Sequence, residues 1–265
     1  MYPFTLERPA TLDQATALLA SGAQALAGGQ TLLASMKLRL ASPEQLVDLA
    51  HIPELAAIRR EGNTIIIGAM ARHAQVATHP DVRQSIPALA DLAGNIGDRQ
   101  VRAMGTLGGS VANNDPAACY PAAVLALNAT VHTTRRTLAA DDFFQGMFTT
   151  ALEPDELITA IQFPVPERAA YLKFRQPASR FALVGACVAK TAQGVRVAIT
   201  GAGNGVFRAA AFEQALNRQF SPDTLAALAL DPADFSTDLH ASAHYRAHLA
   251  RVMTQRAVAQ ALAQG

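Results

Sequence analysis

Charge, cysteine and uninterrupted apolar runs are scarce in this 265-residue chain, and each scarcity removes a class of function. Only 16% of the residues are charged, and 22 basic against 21 acidic side chains leave a net charge of +1. Neutralising a phosphate backbone requires a basic excess or stripe, so no nucleic-acid partner is expected. Two cysteines, Cys119 and Cys187, stand far apart with no C-x-x-C pair, so the chain alone cannot build a four-thiolate iron-sulfur or zinc site. The low count fits a reducing compartment. The opening MYPFTLERPA lacks a basic segment followed by an apolar one and does not read as a signal peptide. Residues 116–134 are uncharged and nearly long enough to span a bilayer, but Pro116, Pro121, Asn128 and His132 interrupt them. The expectation is a buried segment of a cytoplasmic protein with no membrane partner, in which the sequon Asn128-Ala129-Thr130 carries no chemistry.

Half of the residues are hydrophobic, enough to exclude disorder and to fill one large domain or two to three small ones. Thr11 caps a helical pattern of Leu12, Ala15, Leu18 and Leu19 that Gly22 stops. Residues 24–40 read as a short strand, a Gly-Gly turn and a polar-apolar segment. Residues 46–49 suggest another short strand, 51–58 a turn, and 63–68 (NTIIIG) the clearest strand of the chain. Helical spacing returns over 74–80 and 85–96, where Pro87 suits a first turn. Residues 97–121 read as a Gly-, Asn- and Pro-rich loop, and loops of that length in a compact chain are usually functional. A short helix then leads to a strand near residue 130, and 156–166 ends a further strand at a proline pair. The domain boundary is expected at 164–170. Beyond it, YLKFRQP, FALVGACVAK and VRVAITGAG alternate like an antiparallel meander, and 208–216, 221–230 and 241–263 read as helices. Strands followed by helices make an α+β module.

Two loops hold paired glycines: residues 27–33 (AGGQTLL) and 105–110 (GTLGGS). Paired glycines let successive N–H groups converge with no Cβ in the way, and such a nest binds phosphate oxygens. Taken singly, either is more often an ordinary tight turn. Neither matches the dinucleotide G-x-G-x-x-G or the P-loop, and GAGNG at 201–205 fails both templates as well. No G-x-S-x-G or H-E-x-x-H is present. His240, His244 and His248 recur every fourth residue, but no Asp, Glu or Cys joins them at helical spacing, so a solvated or interfacial face is favoured over a metal site. His73 and His79 read as surface or cap residues, and Lys37 and Arg39 as structural or interfacial.

At these loops the chain resembles the FAD-binding medium subunits of the molybdenum hydroxylases, the group that includes carbon monoxide dehydrogenase and xanthine dehydrogenase. The resemblance is carried by AGGQTLLASMKLRL at 27–40, IGAMARHAQVA at 67–77 and IGDRQVRAMGTLGGSVANNDPA at 96–117, and continues through DELITAIQFP at 155–164, YLKFR at 171–175, FALVGACVA at 181–189 and DLHASAHYRAHLARVM at 238–253. It implies an α+β, two-subdomain FAD-binding fold of the PCMH/VAO-like kind, followed by a small C-terminal domain of three antiparallel strands and a helical bundle. The units would be residues 1–57, 58–166 and 167–265. It implies that Ala27, Gly28, Gly29, Gln30, Thr31 and Leu32 wrap the diphosphate of FAD, and that Thr106, Gly108, Gly109 and Ser110 complete the cradle. Ile96 matches an apolar position against the isoalloxazine ring, Ile158 an aliphatic position near the adenine, and Lys173 a lysine that reaches the cofactor. Ile96 could instead be core, Ile158 an ordinary strand residue and Lys173 a solvated side chain.

The sequence departs from the pattern at Cys119, where many relatives have an aspartate facing the flavin, and at residues 176–180, which replace an Arg- and Asp-containing stretch. The family role would make this chain the electron-transfer subunit of a complex: it implies partners in a molybdenum-cofactor large subunit and a [2Fe-2S] small subunit, assembled as a dimer of heterotrimers. The alternatives are a free-standing FAD-dependent oxidase or reductase, for which no polar cluster beyond Pro166 supplies a substrate site, and a non-enzymatic phosphate-binding module.

Overall fold

The computed structural model describes residues 1–264, which build three hydrophobic cores in succession. The first unit contains β1 (Thr5–Glu7), α1 (Leu12–Ala20), β2 (Gln24–Leu26), α2 (Leu32–Lys37) and β3 (Gln45–Asp48). Its three strands run parallel in the order β1-β3-β2, with Thr5 opposite Gln45 and Gln24 opposite Leu46. Thr11 caps α1 by accepting from Gln14 N–H at 3.3 Å, which lets Ala15 and Leu19 turn inward. The segment after the Gly-Gly turn is the short helix α2. This small core includes Met70 and Leu157 from the next unit, so it closes only against its neighbour.

The second unit opens with β4 (Ile58–Glu61) and β5 (Thr64–Gly68) and continues through α3 (His73–Thr78), α4 (Pro80–Ser85), α5 (Pro87–Gly94), α6 (Arg99–Met104), α7 (Leu107–Asn113) and α8 (Tyr120–Ala126). It ends with β6 (Thr130–Thr133), β7 (Thr137–Ala139), α9 (Ala140–Phe143), the hairpin β8 (Phe144–Gly146) and β9 (Thr149–Thr150), and β10 (Ile158–Pro164). Its antiparallel sheet has the order β4-β5-β10-β6-β7. Ile65 and Ile67, both fully buried, lie opposite Phe163 and Ile161, so apolar pairs fix the register.

Residues 97–121 do not form the long loop expected from their composition, because polar side chains start helices there. Asp98 accepts from Val101 N–H at 2.8 Å to open α6, and Thr106 accepts from Gly109 N–H at 3.2 Å to open α7. Asn114 then ends α7 in the left-handed region, at φ 44°. The glycines and asparagine mark where helices begin and end. Every residue of α8 is buried, which accounts for the long uncharged run as a core helix. Among the described residues no helix is long and apolar enough to cross a membrane.

The third unit is a sheet of β11 (Arg168–Arg175), β12 (Ala182–Thr191), β13 (Gly194–Thr200) and the two-residue β14 (Phe207–Arg208), antiparallel and in chain order, carrying α10 (Ala210–Arg218) and α11 (Ala243–Ala263). Three long strands fulfil the meander reading, and β14 adds a short fourth. Side chains alternate between two cores: Tyr171, Cys187, Ala189 and Ala198 join the second unit, while Val184, Ala186, Val188, Val197 and Ile199 pack with α10 and α11. Both faces are therefore covered, which is why β12 reads as almost continuously apolar. Residues 221–230 form only the 3₁₀ turn Pro222–Leu225 where a helix was expected. Gln255 and Arg251 of α11 donate to the carbonyls of Pro222 (3.2 Å) and Ala226 (2.7 Å), taking acceptors that a continuing helix would have used.

Candidate functional site

The cleft between the first and second units brings the two glycine loops together across some 80 residues of sequence separation. A Cβ on Gly28 would lie 2.3 Å from the carbonyl oxygen of Met104 and 2.6 Å from Gly105 Cα, so the loops meet backbone to backbone and admit no side chain. Gly29 turns the chain at φ +70°, a conformation that favours glycine. Among the described residues, the five consecutive N–H groups from Gly28 to Leu32 donate to no acceptor within the chain. Gln30 and Thr31 are exposed beside them, and the Thr31 hydroxyl makes no capping bond to α2. A row of unspent donors that begins on two bare glycines is the chemistry a diphosphate requires.

The second loop is built differently. The N–H groups of Leu107 and Gly108 are spent on Ala71 (3.0 Å) and Ala69 (2.8 Å), and those of Gly109 and Ser110 on the side chain and carbonyl of Thr106. Thr106 and Gly108 are buried, and a Cβ on Gly108 would stand 2.5 Å from Ala69 Cβ, so this glycine serves helix-to-sheet packing. Gly109 points the other way: its Cβ would lie 3.2 Å from Ala27 Cβ. The first loop thus presents donors, and the second keeps its shape and stays thin where the two approach.

Beneath the second loop lies His73, which is buried and not the surface residue expected from sequence. Its N–H donates to Gly105 O at 2.9 Å, its ring packs 5.3 Å from that of Tyr120, and its Nε2 would be 2.5 Å from a Gly105 Cβ. Burial, reinforced by the nearby Arg102 charge, pushes its pKa down to about 4, so the ring is neutral at physiological pH. The helical spacing of His73 with buried Val76 was the available signal. His79 stands at the junction of α3 and α4.

The remaining expected residues fall into two groups. Lys173 and Cys119 meet, with Nζ 3.4 Å from Sγ, although 54 residues separate them. Lys173 also donates to Arg180 O at 2.8 Å, and among the described residues it has no carboxylate partner. Cys119 is buried at the start of α8, beside Tyr171, whose hydroxyl has no well-aligned hydrogen-bond partner. Burial raises the Tyr171 pKa well above the ordinary phenol value. Ile96 is half-buried at the edge of the second core, where Arg102 donates to its carbonyl at 2.9 Å. Ile158 is buried within that core, opposite Thr133, so its side chain packs as a strand residue. Lys37 and Arg39 are exposed, with the Arg39 guanidinium 5.5 Å above the ring of Tyr2. His240, His244 and His248 are all exposed, and only the last two lie on α11.

Two family models together match nearly the whole chain: the FAD binding domain in molybdopterin dehydrogenase over residues 2–166, and the CO dehydrogenase flavoprotein C-terminal domain over residues 169–261. The carbon monoxide dehydrogenase medium chain of Hydrogenophaga pseudoflava is 35% identical, covering 96% of each chain. The nicotine 6-hydroxylase medium subunit of Paenarthrobacter nicotinovorans is 34% identical over 96% of this chain and 95% of its own. The fold matches a chain of reconstituted CO dehydrogenase from Oligotropha carboxidovorans with a TM-score of 0.92 at 34% identity, covering all of both chains.

Proposed function

The chain belongs to the FAD-binding medium subunits of the molybdenum hydroxylase family, and from that premise we propose that it is the electron-transfer arm of a three-subunit oxidoreductase. In this reading a molybdenum-cofactor large subunit hydroxylates the substrate, a [2Fe-2S] small subunit relays electrons, and this chain delivers them to a terminal acceptor. The complex is a cytoplasmic dimer of heterotrimers. The observation that carries the proposal is the row of unspent N–H groups from Gly28 to Leu32, set against a facing loop where neither Gly28 nor Gly109 has room for a side chain.

FAD, when bound, supplies the ability to accept electrons singly and release them as a pair. The protein's own residues bind and orient. Gly28 to Leu32 present N–H groups to the diphosphate, with Ala27 as the near wall and the Gln30 and Thr31 side chains beside it. Thr106 and Gly108 hold the facing loop in shape, and Gly109 and Ser110 line its accessible side. Ile96 offers an apolar surface to the ring, Ile158 supports the adenine end from the core, and Lys173 and Cys119 set the polarity where the second and third units join. None of these groups needs to be a nucleophile or a general base.

Acid precipitation of the purified protein should release one FAD per chain into the supernatant, and a tagged chain expressed in its native host should recover both partner subunits. Flavin that stays with the pellet would contradict non-covalent binding. Recovery of this chain alone with full substrate turnover would replace the subunit reading by that of a free-standing flavoenzyme.

A further inference from the structure

A cavity of about 410 Å³ lies apart from the glycine loops, where the β8–β9 hairpin meets the loops of the C-terminal unit. Its size is that of sites for small organic molecules, which occur preferentially between domains. Phe144, Val206, Leu230 and the edge-to-face pair Phe207 and Phe235, with ring centroids 5.9 Å apart, give it apolar and aromatic walls. Gly146, Gly203 and Gly205 leave part of the lining bare of side chains.

The polar side chains lining this cavity are Asn114, Asn204, Asp231 and Asp234. Asn114, which lines it and is fully buried, donates through Nδ2 to the carbonyls of Gly146 (2.7 Å) and Thr149 (2.9 Å). Those two bonds fix the orientation of the amide, whose Oδ1 is sealed in the wall and meets no donor among the described residues. Asp231 and Asp234, both exposed, stand at the rim of the cavity, and among the described residues neither forms an ion pair. One oxygen of Asp231 accepts from Ala233 N–H, while the Asp234 carboxylate has no hydrogen-bond partner among the described residues. No lysine, arginine or histidine lines the cavity.

Aromatic walls and two rim carboxylates without a counter-charge are complementary to one ligand chemistry. We propose that this cavity binds a small aromatic molecule bearing a cationic N–H group, such as an aryl amidinium. The ring packs among the phenylalanines, whose faces also favour a cation. The charged N–H groups are directed to the exposed carboxylates of Asp231 and Asp234 at the rim. This assignment is independent of the flavin site.

Calorimetric titration of the full-length protein with benzamidine, benzamide and benzoate tests it. Benzamidine should bind saturably, with benzamide about tenfold weaker for want of the charge, and benzoate should not bind. Asp234→Asn should weaken benzamidine about tenfold while leaving benzamide unchanged. Gly205→Leu is the blocking variant, because a Cβ there meets nothing closer than 3.7 Å and the longer side chain has the cavity to occupy. It should abolish binding of benzamidine and benzamide in a protein whose thermal melt without ligand is unaltered. Absence of saturable benzamidine binding, benzoate or benzamide binding as tightly as benzamidine, or benzamidine binding that survives both substitutions overturns the assignment.

Discussion

Gly109→Val probes the cradle where the two loops are closest. A Cβ at this position lies 2.8 Å from Thr106 Oγ1 and 3.2 Å from Ala27 Cβ. The first atom caps α7 and the second belongs to the facing loop, so the branched carbons of valine must displace one or the other. Overpacking of this kind costs about 1–3 kcal/mol, which lowers the melting temperature but leaves most domains folded. The effect on FAD should be larger. Spreading the loops withdraws N–H groups from the diphosphate, and losing two charge-assisted hydrogen bonds at about 1.5–3 kcal/mol each raises Kd about 10²- to 10⁴-fold. Gly108→Ala is the matched control, since its Cβ meets Ala69 at 2.5 Å on the side away from the first loop. That variant should lose stability while its folded fraction keeps its flavin affinity. Fluorescence titration of apoprotein with FAD, with melts recorded in parallel, reads both quantities. A folded Gly109→Val protein with wild-type flavin affinity would refute the assignment of this loop to the cofactor.

His73 makes stability fall on acidification: with its folded pKa lowered from 6.5 to about 4, its contribution is complete above pH 6.5 and is lost as pH drops toward 4. Between pH 7 and pH 5 that amounts to about 2 kcal/mol, so urea unfolding at the two pH values should show the difference and a His73→Phe variant should lose this part of it. Cys119→Asp places a carboxylate beside Lys173, and because flavin reduction adds negative charge, a dye-mediated reductive titration should give a midpoint lower by some tens of millivolts, whereas Cys119→Ser should barely move it. Thr200→Val, nearly equal in volume, removes the hydroxyl that reaches the carbonyls of Pro116 (2.8 Å) and Ala118 (2.7 Å). It should cost about 1–3 kcal/mol in denaturant titrations and alter the flavin absorption band through the displaced Cys119 segment.

What the sequence could convey was whatever depends on local pattern. The Thr11 cap, the NTIIIG strand and the alternation of β12 and β13 are set by neighbouring residues, and all appear where periodicity places them. Residues 97–121 and 221–230 were misread because their outcome is decided by particular bonds. Asp98 and Thr106 start helices through single side-chain acceptors, and the helix expected at 221–230 loses its carbonyls to Arg251 and Gln255 from α11. Glycine content marked both loops but could not divide their labour, since which side of Gly108 or Gly109 must remain bare depends on Ala69 and Ala27. His73 was missed because its burial depends on Gly105 and Tyr120, which approach it only in the folded chain.

The placement of Lys173 ties the third unit to the seam that the flavin reading assigns to the cofactor. Its strand β11 leaves the second unit immediately after β10, and Lys173 then reaches back to Cys119, while Arg175 bonds to Asn95 next to Ile96. Thr200 and Gly201 hold the segment before Cys119 by hydrogen bonds to Pro116 and Ala118. The same sheet face buries Tyr171 and Cys187 in the second core, with burial pushing the Cys187 thiol up to about 12 and so keeping it protonated. A cation without a carboxylate partner is thereby fixed by two domains at once, and its position relative to Ile96 and Cys119 depends on their seam. Under the flavin reading, the polarity around the ring is then a property of domain docking, and substitutions in the third unit can change electron transfer without touching the glycine cradle.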